Sequence, residues 1–152
     1  MAKFIYRMEN ILNLQTKLES EAKIQLTMAN NILRQEQQKL KQIYRDISDY
    51  EEKIRGYSMT VLDVQELKRC NDAIAVKKME AEEQKKTIER AQKNADKAMH
   101  KVREAMLKRK TQEALKEKAF EEFKREVNEE EKKEIDQVVS YQYNGKAEEG
   151  DL

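Results

Sequence analysis

The sequence predicts an all-α fold: a long antiparallel two-helix coiled-coil hairpin, with an overhanging C-terminal helix and a flexible tail. Three observations lead to this prediction. Apolar residues recur with heptad spacing in both halves of the chain. The 152 residues include no proline and three glycines, while 40% are charged, a composition typical of long helices. One glycine, Gly56, directly follows the first heptad segment, where a chain reversal would join the two halves.

Helix one is predicted over residues 3–55. Its a positions begin at Ile5 and its d positions at Met8, and both sets repeat every seven residues. The seam positions are Ile5, Met8, Leu12, Gln15, Glu19, Ala22, Leu26, Ala29, Leu33, Glu36, Leu40, Ile43, Ile47, Tyr50, Ile54 and Tyr57. Phe4, Ile11, Leu18 and Ile32 sit one place before a positions and widen the apolar stripe. The first half of this helix can therefore cover more than one neighbour.

The turn is predicted over residues 56–59 and helix two over residues 60–139. Gly56 can adopt the left-handed conformation that closes a helix. Thr60 and Asp63 have the spacing of a capping box, with Met59 and Val64 placed as a hydrophobic staple. The second seam contains Leu67, Cys70, Ile74, Lys77, Ala81, Gln84, Ile88, Ala91, Ala95, Ala98, Val102 and Ala105. We therefore expect one hairpin domain over residues 1–140 and a mobile tail over residues 141–152.

The short turn makes the two helices antiparallel and suggests a register. If the turn is centred at residues 57–58, Leu26 lies opposite Ala91, and Ala29 lies opposite Ile88. Large residues then face small ones, an alternation that interdigitated packing favours.

In this register helix two extends beyond helix one. The N-terminal end of helix one lies opposite residues 110–111, whereas the helical pattern of helix two continues towards Val138. The overhang carries Leu115, Phe120 and Phe123 on one helical face, without an evident partner in the chain.

Composition also limits the possible partners. The formal net charge of +1 gives no basic field for nucleic acid or an anionic bilayer, so other proteins are the expected partners. The first residues lack the apolar run typical of a signal peptide, and no stretch approaches the roughly 18 consecutive apolar residues that a membrane span needs. We therefore expect a cytoplasmic protein.

The residues needed for catalysis are scarce. The single histidine, His100, and the single cysteine, Cys70, offer no metal cluster and no close nucleophile–base pair in sequence. The glycines Gly56, Gly145 and Gly150 form no phosphate-binding loop. We expect no enzymatic activity, no catalytic, cofactor-binding or metal-binding residue, no cofactor and no small-molecule substrate.

Tyrosines near the end of helix one are candidates for contact with another protein. Tyr44 falls outside the seam, where a large amphipathic ring is typical of binding hot spots. Tyr50 lies in the seam, as do Leu40 and Ile43. The alternative is that a two-helix rod leaves any tyrosine half exposed, whatever its role.

Several segments of the chain together resemble a known family. Residues 3–14 read KFIYRMENILNL, residues 18–22 read LESEA, and residues 38–43 read QKLKQI, followed by Tyr50 and a short turn. This layout resembles the flagellar export protein FliJ, whose members often begin with Phe, an aromatic residue, Arg and Met or Leu before a heptad helix. The resemblance extends over nearly the whole chain.

The resemblance implies a non-enzymatic component of the flagellar type III export apparatus. Such a protein would contact the flagellar export ATPase hexamer and the cytoplasmic domain of the export gate membrane protein, and would assist export chaperones. It would lie in the cytoplasm, peripherally at the cytoplasmic face of the membrane. We expect a monomer in isolation. The alternative is a self-associating structural or scaffold coiled coil, whose overhang is covered by another copy of the chain.

The resemblance also suggests roles for the two ends of the hairpin. The end with both termini is expected to enter the ATPase ring, and its candidate residues are Phe4, Ile11, Leu115, Phe120 and Phe123. The turn end is expected to face the export gate, and its candidate residues are Leu40, Ile43, Tyr44 and Tyr50.

Overall fold

The computed structural model describes residues 2–59 and 64–150, and the side chains of residues 2–56 and 64–145. It contains two helices, α1 over Glu9–Met59 and α2 over Val64–Gly150. No strand occurs in the described ranges, so the prediction of an all-α fold is confirmed. The helices form two units. The turn unit is Glu19–Ala105, and the terminal unit combines the described residues up to Leu18 with those from Met106 onwards.

Burial in the turn unit follows the predicted heptads. The seam side chains of α1 from Glu19 to Ile54, and those of α2 from Leu67 to Ala105, are buried or half-buried, while most others are exposed. The buried apolar residues of this unit are Ile47, Cys70, Ile74, Ala81, Ala91, Ala95 and Val102. Three of them are alanines, and small seam residues allow two helices to approach closely. The predicted helical hairpin is thereby confirmed.

Polar contacts between the helices show their register. The amide of Gln84 donates to the carbonyl oxygen of Glu36 at 2.9 Å and to its carboxylate at 2.6 Å. Lys77 Nζ lies 3.5 Å from the Asp46 carboxylate. The register proposed from the sequence would put Gln84 opposite Leu33, three residues earlier in α1. That register is wrong by about one helical turn.

The cause of this shift is the end of α1. Gly56 does not close the helix, because α1 continues through it to Met59 and no described glycine has a positive φ. α1 therefore ends later in the chain than predicted, and α2 lies opposite later residues of α1. The predicted cap, Thr60 and Asp63, lies outside the described residues.

The start of α1 also differs from the prediction. The helix begins at Glu9 instead of near residue 3, and its first N–H donates to the carbonyl oxygen of Tyr6 at 3.3 Å, which forms a turn. Residues 2–6 are not helical. This segment lies against α2, as the hydrogen bond from the Tyr6 hydroxyl to Gln112 shows.

As a result, Phe4 contacts Phe120 and Phe123 of α2. The expectation that these two phenylalanines lack a partner in the chain is wrong. Burial on α2 ends later, at the half-buried Val127, and every side chain from residue 128 to residue 145 is exposed. α2 itself continues to Gly150, past the predicted helix end at residue 139. The mobility expected for residues 141–152 remains a prediction.

Candidate partner-binding surfaces

The terminal unit contains an aromatic cluster of three rings. The ring centroids of Phe4 and Phe120 are 5.1 Å apart with the planes at 60°, an edge-to-face arrangement, and those of Phe4 and Phe123 are 5.4 Å apart. Such pairs stabilise beyond their burial, because the positive edge of one ring meets the negative face of another. The cluster therefore holds the non-helical N-terminal segment on α2.

Polar contacts of the same segment support the cluster. The Tyr6 hydroxyl donates to the side-chain carbonyl oxygen of Gln112 at 3.2 Å. Lys116 Nζ lies 2.9 Å from the Glu9 carboxylate, at the first turn of α1. A negative side chain in this position also favours the helix dipole. The N-terminal segment is thus fixed by one apolar and two polar interactions.

The cluster leaves an apolar depression open to the solvent. Phe4, Leu12 and Phe120 line it, and Glu113, Lys116 and Glu117 form its charged border. Phe120 keeps 37% of its surface exposed, with Lys124 Nζ 4.5 Å from the ring centroid. The structure therefore brings together three of the five residues predicted for this end of the hairpin, Phe4, Phe120 and Phe123.

The other two predicted residues of the terminal unit lie at its surface. Ile11 is 40% exposed, although Leu12 beside it is buried, and Leu115 is 43% exposed. Exposed aliphatic side chains of this size are available to a partner, but they are also common on thin helical rods.

The residues predicted near the turn do not form one patch. Leu40 and Ile43 are half-buried in the seam, and Ile43 lines a depression together with Val76 and Met79 of α2. Tyr44, the next residue, is exposed and contacts Lys85. The Glu82 carboxylate and then the Tyr44 hydroxyl raise the pKa of the Lys85 ammonium above its ordinary value by hydrogen bonding to it.

Tyr50 belongs to a separate, polar depression, which Asp46, Asp49, Lys53 and Lys77 complete. Its ring is half-buried, with Lys53 Nζ 5.4 Å from the centroid. Hydrogen bonding to Glu80, and more weakly to Asp46, raises the pKa of the Lys77 ammonium above its ordinary value. Lys77 therefore joins the two helices as a cation at a seam position.

The polar pairing inside the seam was not predicted from the sequence. Glu36 is a seam residue whose carboxylate accepts hydrogen bonds from Gln84 and Lys39. These two bonds, that of Gln84 first, lower the pKa of the Glu36 carboxyl below its ordinary value. In the observed register the polar seam residues Glu36 and Gln84 meet, and this pairing is the signal that could have revealed the register.

The chemically reactive residues are placed as in an ordinary coiled coil. Cys70 is buried in the seam, and the exposed His100 lies 3.0 Å from Glu104 one turn later. Among the described residues, no three His, Cys, Asp or Glu side chains are grouped as metal ligands. The described helices also contain no stretch with the length and apolar character that crossing a membrane requires.

Comparison with protein-family models assigns the chain to a family. The family model of the flagellar FliJ protein matches residues 4–148. The chain belongs to the FliJ family. It is therefore a flagellar export-related protein, and the family is a non-catalytic component of that export system. Comparisons with curated proteins and with solved structures gave no match.

The family match begins at Phe4 of the aromatic cluster and extends through the exposed end of α2. Residues 128–145 thus lie within the matched region, and they are helical.

Proposed function

We propose that this FliJ protein couples the flagellar export ATPase hexamer to the export gate and assists the export chaperones. The observation that carries the proposal is the family match over residues 4–148, together with two surfaces that differ in chemistry. The terminal unit offers an apolar depression, whereas the turn unit offers tyrosines among charged side chains. Surfaces of different chemistry suit two different partners.

In this proposal the terminal unit binds inside the ATPase ring. The candidate contacts are Phe4, Ile11, Leu115, Phe120 and Phe123. Ile11, Leu115 and Phe120 are partly exposed, and covering apolar surface yields about 25 cal/mol for each square ångström. The charged border of the depression would orient the partner more than it would strengthen binding.

The turn unit binds the cytoplasmic domain of the export gate in the same proposal. The candidate contacts are Leu40, Ile43, Tyr44 and Tyr50. Tyr44 presents an exposed ring on the surface of α1. Large amphipathic rings of this kind are frequent hot spots of protein interfaces. The protein would act in the cytoplasm, peripherally at the membrane, and be monomeric in isolation.

A pull-down with purified ATPase and gate domain tests the proposal. Ile11→Ser with Leu115→Ser should weaken ATPase binding and preserve gate binding, whereas Tyr44→Ala with Tyr50→Ala should do the reverse. Leu107→Ser is the matched control, because Leu107 is an exposed leucine of the terminal unit outside the candidate set. Circular dichroism should show unchanged helical content in all of them. Equal binding by both double variants and wild type would refute the assignment of surfaces.

A further inference from the structure

The turn unit contains a groove, which we consider as a binding site for a third helix. Its floor is Ala22, Ala29 and Ala98, and its sides are Gln25 of α1 and Lys97 and Lys101 of α2. Alanine floors allow another helix to approach closely, since no long side chain stands in the way. On the α1 side, Met28 and Ile32 follow Gln25 at helical spacing and are more than half exposed. The groove therefore has a basic side on α2, and exposed apolar side chains lie next to its α1 side.

The basic side of the groove is not neutralised by the chain. Most ion pairs on this surface join a lysine to an acid three or four residues away on the same helix, as Lys93 with Glu89. Among the described residues, neither Lys97 nor Lys101 has an acidic partner within ion-pair distance. Two ammonium groups four residues apart thus stand beside an apolar floor.

The exposed end of α2 has the complementary surface. Ile135, Val138 and Val139, at 62%, 57% and 57% exposure, fall on one helical face by their spacing of three and four residues. Glu134 flanks that face on one side, Glu130 precedes it by four residues on the same side of the helix, and Glu131 lies on the face itself. None of the three forms an ion pair with a described residue. This segment is an acidic amphipathic helix with the same charge spacing as the lysines of the groove.

We infer that the groove binds the exposed end of α2 from a second copy of the chain. Ile135, Val138 and Val139 would pack on the alanine floor beside Met28, with Glu130 and Glu134 facing Lys97 and Lys101. The charge spacing favours this occupant, since the four residues between the paired charges span about 6 Å of helix on either surface. If each copy donates its helix to the other, the contact forms twice and the assembly closes as a dimer.

A dimer of this kind would cover the apolar face of α2 while no other partner is bound. One groove-sized contact is smaller than the roughly 1,200–2,000 Å² that stable interfaces bury, so the association should be weak and depend on concentration. This inference does not rest on the proposed function, since the groove lies outside the candidate contacts for both the ATPase and the gate. A weak contact could be displaced when another partner covers the same face.

Sedimentation of the full chain tests the inference. Between about 5 and 500 µM, the mass of the wild type should rise from 18.1 kDa towards twice that value. Lys97→Glu with Lys101→Glu should abolish the rise, and so should Glu130→Lys with Glu134→Lys. The four changes combined restore the charge pairing and should restore association. Lys41→Glu with Lys78→Glu, on exposed lysines outside the groove, is the control for net charge and should associate normally.

Three results would overturn the inference. A wild type that stays monomeric over the whole range would leave the groove to a different protein or to none. Association that survives both charge reversals, or that is equally lost in the control, would place the contact elsewhere or reduce it to net charge. Failure of the four-fold variant to associate, with helical content unchanged, would contradict the pairing of these charges. An ATPase pull-down with the Lys97→Glu, Lys101→Glu variant reports on the proposed function separately, because normal binding is expected there.

Discussion

At the scale of single residues, polar side chains inside the seam determine how the two helices align. Glu36 with Gln84, and Asp46 with Lys77, each join one helix of the turn unit to the other. Polar groups in a coiled-coil seam reduce stability compared with apolar ones, but they favour the one register in which they meet. A shift by one turn would leave Gln84 facing Leu33, and its buried amide would lose its partner.

The first prediction concerns the ionisation of Glu36. Its pKa is lowered in the folded chain, chiefly by Gln84 and then by Lys39, so the carboxylate stabilises the fold. This stabilisation is fully present above the ordinary glutamate pKa and is lost as the pH falls through the lowered one. Between about pH 5 and pH 3, the melting temperature of the wild type should therefore fall more steeply than that of Glu36→Gln.

Circular dichroism melts across this pH range provide the measurement. Glu51→Gln is the control, because it removes an exposed carboxylate from the same unit and should leave the wild-type slope unchanged. Parallel curves for the wild type and Glu36→Gln would mean that the Glu36 carboxylate contributes no net stability.

At the scale of elements, the end of α1 decides the register of the hairpin. Gly56 has a helical conformation, and a β-carbon added there would meet nothing within 4 Å. Glycine within a helix costs about 0.5–1 kcal/mol relative to alanine, mainly through the freedom of the unfolded chain. Gly56→Ala should accordingly stabilise the chain by about that amount in urea unfolding.

Gly145→Ala is the matched comparison for this second prediction. Gly145 is also helical and open, but it lies where α2 buries no side chain, so its unfolding midpoint should hardly change. A loss of stability in Gly56→Ala would instead support the left-handed helix end that the sequence suggested.

The third prediction tests the packing of the seam. Ala91 is buried, so Ala91→Leu should force the helices apart and destabilise the chain by about 1–3 kcal/mol. Ala75→Leu is the control on the exposed side of the same helix and should change stability by less than about 0.5 kcal/mol. Thermal melts of the two variants give the comparison, and equal stability would remove Ala91 from the interface.

The two helices could be predicted from the sequence because heptad spacing indicates which residues of a helix are buried, whatever the partner helix. The seam positions from Glu19 to Ile54 and from Leu67 to Ala105 are buried or half-buried as expected. The register could not be read in the same way. The register depends on the residue at which α1 ends. Glycine tolerates both helical and left-handed conformations, so Gly56 alone does not predict that residue.

The candidate site was only partly predictable, for a related reason. Phe4, Phe120 and Phe123 were predicted at the same end of the hairpin, but no contact between them was predicted, because the register from the sequence ended helix one opposite residues 110–111. Phe4 lies in the non-helical residues 2–6, where the heptad spacing predicted a helix. The groove of the turn unit was missed altogether, since its alanines read only as seam residues.

At the scale of the whole molecule, a thin hydrophobic seam leaves much apolar surface for other proteins. No large side chain among the described residues is completely buried, and many aliphatic side chains remain substantially exposed. Stability should therefore lie near the lower end of the usual range of about 5 to 15 kcal/mol. A chain of this kind gains stability from each partner that covers its surface.

The last prediction separates two roles of the aromatic cluster. Phe120→Ala with Phe123→Ala should weaken binding to the export ATPase and release the N-terminal segment, because Phe4 loses both ring contacts. Helical content should change little, since α2 continues on both sides of the substitutions. Faster tryptic cleavage after Lys3 and Arg7 would report release of the segment, and a pull-down would report binding.

Phe4→Ala is the variant that makes the two roles distinguishable. It should also speed cleavage after Arg7, but it leaves Phe120 and Phe123 on α2 and uncovers more of their surface. If the two α2 rings contact the ATPase directly, Phe4→Ala should retain most of the binding that the double variant loses. Equal loss in both variants would assign the role to the ordered N-terminal segment, because its release is then the only change they share. Normal binding by the double variant would exclude the aromatic cluster from the ATPase interface.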